Sequence, residues 1–116
     1  MQSRLREEIA RAQRHNTPFT LVQFESVPGD GLPMHQKMKY ALEVVTTSVR
    51  TSDVVALAFE DTIVALLVQT DSTSAKDALQ RIRSRVAQQS GTWRLSSYVY
   101  PDDAEAIEAL PVLTVA

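Results

Sequence analysis

Residues 54–59 and 62–68 read VVALAF and TIVALLV, two apolar runs parted only by Glu60 and Asp61. Runs this long and this rich in Val, Leu and Ile suit buried strands, and so short a polar corner makes them antiparallel neighbours in a hairpin. Neither corner residue is Gly or Asn, so the corner is not an ideal two-residue type I′ turn. Everything else in the chain has to be arranged around this ribbon. The two carboxylates at its tip pose the functional question: a working acidic site, the relic of one, or a solvated turn.

The flanking segments supply partners. FTLVQFE, from Phe19, is apolar on both faces and reads as a central strand of a sheet covered by helices. Before it, SRLREEIARAQRHN places Leu5, Ile9 and Ala12 on one helical stripe, stopped at Asn16-Thr17-Pro18. After the Gly- and Pro-rich SVPGDGLP, residues Met34, Met38, Ala41, Leu42, Val45 and Val49 recur at helical spacing, the two methionines reading as core. The polar stretch from Gln69 to Ser74 supplies an N-cap for a second stripe of Ala75, Ala78, Leu79, Ile82 and Val86, halted at Ser90-Gly91. TWRLSSYVY then alternates as a strand, with Trp93 reading as core and Tyr98 and Tyr100 as a partner surface. AEAIEAL makes a short helix, and PVLTV a last edge strand. Without the first helix and the tail the order is β-α-β-β-α-β. That predicts an α+β, ferredoxin-like fold: an antiparallel-rich sheet with both helices on one face, plus an extra N-terminal connecting helix over residues 1–16.

The chain has 116 residues, enough for one domain with a sizeable core and too few for two. A net charge of -2 gives no bulk attraction to nucleic acid, and the central strands lack the interleaved basic and aromatic residues of an RNA-recognition sheet. There is no cysteine, and His15 and His35 fall in no metal-ligand spacing, so neither a metal site nor a cofactor is expected. No apolar run approaches a bilayer span and no signal peptide opens the chain, which predicts a cytoplasmic location without membrane insertion.

Laid against known families, RTSDVVALAFEDTIVALLVQTDSTSAKDALQRIRSRV resembles the central stretch of the GGDEF domain, the diguanylate cyclase module of bacterial signalling. The opening helix, FTLVQFE and YVYPDDAEAIEAL agree with it in order and spacing. The resemblance implies the nucleotidyl-cyclase palm-like version of the fold. It puts Phe59, Glu60, Asp61, Thr62 and Ile63 at the five signature positions, and Glu25 at a metal-binding Asp. These are departures as much as matches. Phe59 and Glu60 put bulk where the family's glycines let a phosphate approach the backbone, and Thr62 lacks the fourth position's carboxylate. Val27 stands where a second acid is usual. The lysine- and arginine-bearing segment beyond the last strand has no counterpart here. Phosphoryl transfer rests on positioning and charge neutralisation, so losing these parts together implies a catalytically inactive, degenerate GGDEF domain.

A second feature of the family is the inhibitory site, or I-site, for cyclic di-GMP, with the pattern R-x-x-D five residues before the signature. Arg50-Thr51-Ser52-Asp53 has that spacing, and Arg81 falls at the further arginine on the next helix. Arg grips phosphate or a guanine edge bidentately, and Asp accepts from guanine N–H groups. A plainer reading has Arg50 capping its helix C-terminus, Asp53 starting a turn, and Arg81, Arg83 and Arg85 forming a solvated face. Two functions follow. One is a regulatory module binding cyclic di-GMP through Arg50, Asp53 and Arg81 and signalling to a protein partner or an attached sensor or effector domain. The other is a ligand-free interaction or dimerisation domain, with a homodimer as one form.

Overall fold

The computed structural model describes residues 2–29, 31–68, 70, 72–89 and 91–110. Helix α1 (Gln2–Arg14) leads to strand β1 (Phe19–Ser26) and helix α2 (Met34–Ser48). The hairpin β2 (Val54–Ala58) and β3 (Thr62–Val68) follows, then α3 (Ser72–Gln89), β4 (Trp93–Tyr100) and the short α4 (Ala104–Glu108). The sheet order is β2-β3-β1-β4 with all neighbours antiparallel, which is the ferredoxin-like arrangement the element order predicts. PVLTV lies outside the described residues.

Local chemistry explains the ends. Asn16 closes α1 at φ 51°, a left-handed conformation that Asn tolerates. Its N–H reaches the Gln13 carbonyl (3.4 Å), and the Thr17 N–H reaches that of Ala12 (2.8 Å), so the last turn's carbonyls are satisfied before Pro18. At the other turn, Phe59 belongs to the corner rather than to β2: Ala58 pairs with Thr62, and Phe59, Glu60 and Asp61 form a three-residue tip. Helix α3 begins at Ser72, earlier than its apolar stripe announces, because its first exposed turn carries no periodic signal.

Successive strand residues face opposite sides, so both faces of the sheet need cover. On one face Val22, Phe24, Ile63, Ala65 and Leu67 pack with Val45 of α2 and Ile82 and Val86 of α3. On the other, Phe19, Leu21, Val54, Val64 and Leu66 pack with Leu5 and Ile9 of α1 and Ile107 of α4. Two-sided burial is the physical reason the central strands read as unbroken apolar runs. Three side chains depart from the roles their sequence pattern predicts. Met34 is 43% exposed, not core, because Lys37 takes the buried position in the first turn of α2. Tyr100 is half-buried and stacks on Phe19 with ring centroids 5.1 Å apart, so it serves the core under α1 and not an open partner surface. Trp93 is half-buried rather than fully enclosed.

Candidate functional site

The acidic corner lies beside the end of β1. Directly across from Glu25 stands Thr62, not Asp61, and on the other side Arg94. The Glu25 carboxylate accepts from Gln23 Nε2 (3.1 Å), while Asp61 Oδ1 accepts from the Thr62 hydroxyl (3.0 Å). The Asp61 carbonyl is used as well, receiving the Ser26 N–H at 2.9 Å. Thr62 is buried, Ile63 fills the core beside α2 and α3, and Glu60 is exposed. Among the described residues no three His, Asp or Glu side chains gather as metal ligands would. Phe59 sits at φ 61°, a region that suits glycine, although its side chain is 51% exposed and bulky. The backbone of the tip thus keeps a conformation for which glycine is the unstrained choice.

Sequence reasoning missed Lys37. Its side chain is 98% buried by relative area, with Nζ 3.0 Å from the Val27 carbonyl and 5.2 Å from the Trp93 ring centroid. The ammonium therefore meets a carbonyl and a π-face at the end of β1, and both stabilise its charge. The position falls on the apolar stripe of α2, and a lysine there carries no periodic signal of burial.

At the opposite end of the hairpin, Arg50 and Asp53 do something that spacing alone does not reveal. The Asp53 side chain is 3% exposed and accepts four bonds. Its Oδ2 receives the Arg50 N–H (3.0 Å) and Arg50 Nε (3.5 Å). Its Oδ1 receives Arg50 Nη2 (3.4 Å) and the Val68 N–H (3.0 Å). Arg50 Nη2 also donates to the Val68 carbonyl and to Thr70 Oγ1 (3.0 Å). The Val68 N–H and C=O both point toward β2, but β2 has already begun at Val54, paired with Leu66. The Arg–Asp pair thus stands in for one more rung of the ladder: a carboxylate takes the N–H and a guanidinium feeds the carbonyl. Among the described residues every bond of the guanidinium uses Nε or Nη2, and the Arg50 side chain is 58% exposed.

The predicted set does converge. Arg50, Asp53 and Arg81 line one cavity of about 220 Å³, floored by Leu67 and Ile82 and rimmed by Ser74 and Asp77. Arg81 Nη2 donates to the Ser48 carbonyl (3.4 Å), and Arg85 donates to Ser48 Oγ and to Thr47 Oγ1. The carbonyl end of α2 is therefore served by cations from α3, not by Arg50, and Arg81 and Arg85 are not simply a solvated face. Asp77 precedes Arg81 by one helical turn, the i,i+4 spacing that was the available signal for it.

No family model matches the sequence, and no curated protein matches it. Solved structures do. A DGC protein from Thermotoga maritima superposes with a TM-score of 0.77 at 19% identity, over 90% of this chain and 83% of that one. A sensory box/GGDEF family protein from Caulobacter crescentus CB15 gives 0.73 at 17%, over 93% and 82%. The GGDEF domain of DgcB from Caulobacter crescentus, solved in complex with c-di-GMP, gives 0.61 at 13%, over 80% and 64%. The molecule is thus an α+β protein of the nucleotidyl-cyclase palm-like class. Within that class, its fold is the GGDEF-domain fold. At such identities the likeness fixes the fold, and function has to be argued from the site.

Proposed function

We propose that this chain is a regulatory module that binds cyclic di-GMP in the cavity between the end of α2 with its following turn, the end of β3, and α3, and performs no cyclase chemistry. The observation that carries the reading is the convergence of Arg50 and Arg81, 31 positions apart in the sequence, on one cavity. Two guanidiniums at the mouth of a cleft suit a dianionic ligand with planar bases, because each grips phosphate or a guanine edge in a fork. Asp53 is a positioning residue here: its four acceptor sites are filled, so it aims Arg50 and leaves the guanine N–H groups to Asp77. The ligand enters by analogy with the DgcB complex, since that neighbour was solved with c-di-GMP.

The inactive half of the proposal rests on the other end of the hairpin. Glu25 and Asp61 are each engaged by an adjacent side chain, and Phe59 puts a ring where an approaching phosphate needs backbone. Lys37 fills space beside the end of β1. With Mg²⁺ and GTP the chain is expected to give no cyclic di-GMP above background; turnover measured by chromatography would reverse this half alone.

Isothermal titration of cyclic di-GMP tests the binding half. Arg81→Ala and Asp77→Asn should each weaken binding about tenfold or more while the melting temperature moves little, as loss of a charge-assisted contact implies. Saturable binding that ignores both substitutions would place the ligand elsewhere. Absence of binding would favour the ligand-free interaction domain, a reading supported by Arg50 and Arg81 already having protein acceptors.

A further inference from the structure

A second cavity lies on the other side of the same turn. It has a volume of about 510 Å³ and opens between α1 and the sheet, with Arg11, Ala12 and His15 on the helix side and Ser52, Leu66 and Val68 on the sheet side. The first cavity is lined by Arg50 and Asp53, and the second by Ser52. A single four-residue turn therefore forms a wall of both. Val68 joins them more tightly still. Its N–H and carbonyl are held by Asp53 and Arg50, while the residue itself lines the α1 groove. Helix α1 packs across β2 and β3, so the open end of that ribbon is part of its seat.

We infer that occupation of the arginine cavity loosens the seat of α1, making Arg50 the coupling element between the ligand and the N-terminal helix. Donor supply sets the coupling. Arg50 offers five N–H groups, of which Nε and the two on Nη2 serve Asp53, Val68 and Thr70 among the described residues. A phosphate or guanine edge that binds in a fork needs neighbouring nitrogens, Nη1 with Nη2 or Nη2 with Nε. Either fork draws on nitrogens already committed, and the end-on fork takes Nη2 from the Val68 carbonyl and Thr70. Bidentate capture of the guest and full clamping of Val68 are thus alternatives. By linkage, whatever favours the seated helix weakens the guest by the same factor. The inference rests on the proposed ligand for its physiological trigger, but the clamp itself is a property of the unliganded chain.

Hydrogen exchange followed by mass spectrometry separates the two. In the unliganded chain, Arg50→Ala should raise exchange in α1 and at the end of β3 several-fold while segments at the centre of β1 and β3 stay protected. Arg50→Gln, which keeps a side-chain donor, should restore part of the protection and covers the case in which the alanine variant folds poorly. Saturating cyclic di-GMP should reproduce the alanine pattern in the parent chain. If ligand binds and α1 exchange is unchanged or slowed, the coupling is wrong although the pocket reading stands. If no ligand binds, the pocket reading falls, and the two variants still decide the clamp: unchanged α1 exchange in Arg50→Ala overturns it.

Discussion

At the scale of single residues, Arg50 and Asp53 look equivalent in the sequence and are not equivalent in the fold. Asp53 is enclosed and satisfies two main-chain N–H groups; Arg50 is more than half exposed and feeds one carbonyl. Asp53→Ala should therefore cost roughly 2–4 kcal/mol, since it strands buried donors, and Arg50→Ala about 1 kcal/mol. Urea unfolding of both variants checks this, and equal costs would refute the asymmetry. A substitution at Asp53 is for the same reason a poor probe of ligand binding. Phe59 makes the converse case, a residue whose backbone favours something smaller. The left-handed conformation costs an ordinary residue about 1–2 kcal/mol, and glycine's extra chain entropy returns only part of that. Phe59→Gly is expected to raise stability by roughly 0.5–1 kcal/mol; a marked loss would mean that the ring packs on something that matters to folding.

At the scale of elements, α2 illustrates how burial and polarity are reconciled. Its stripe of Ala41, Val44 and Val45 is apolar, yet its first turn buries Lys37 against Val27 and Trp93. Truncation removes the stem's packing and leaves the Val27 carbonyl short of a donor, so Lys37→Ala should cost about 2–4 kcal/mol. Trp93 is the sole tryptophan, so its emission should shift in the same variant. An unchanged spectrum would argue that the cation–π contact is absent in solution. The helix–helix contact between α2 and α3 obeys another rule: Arg81 and Arg85 reach the last turn of α2, where unpaired carbonyls and the dipole favour cations.

At the scale of the whole molecule, the sheet is a two-sided object and α1 is half of one side's cover. Leu5 and Ile9 close the face made by Phe19, Leu21, Val64 and Leu66. A charge at Leu5, which is 1% exposed, cannot be accommodated there. Leu5→Asp should therefore unseat the helix and expose an apolar face that binds a hydrophobic dye. Normal melting and no dye binding in that variant would show that α1 is not needed to cover the sheet. Among the described residues no helix is long and apolar enough to cross a membrane.

The sequence by itself determined the element order, the hairpin and the central place of β1, because two-sided burial writes itself as unbroken apolar runs. Its resemblance to the GGDEF family also grouped Arg50, Asp53 and Arg81, which the fold then places around one cavity. Tertiary structure alone decided what those side chains touch. Whether Asp53 faces a guest or the Val68 amide depends on where β2 begins relative to the end of β3, and no local pattern encodes that offset. The burial of Lys37 depends likewise on Trp93, a residue more than fifty positions away whose strand lies beside β1 only once the sheet has formed. Hydrophobic periodicity is a local signal, whereas the satisfaction of buried polar groups is settled by long-range contacts.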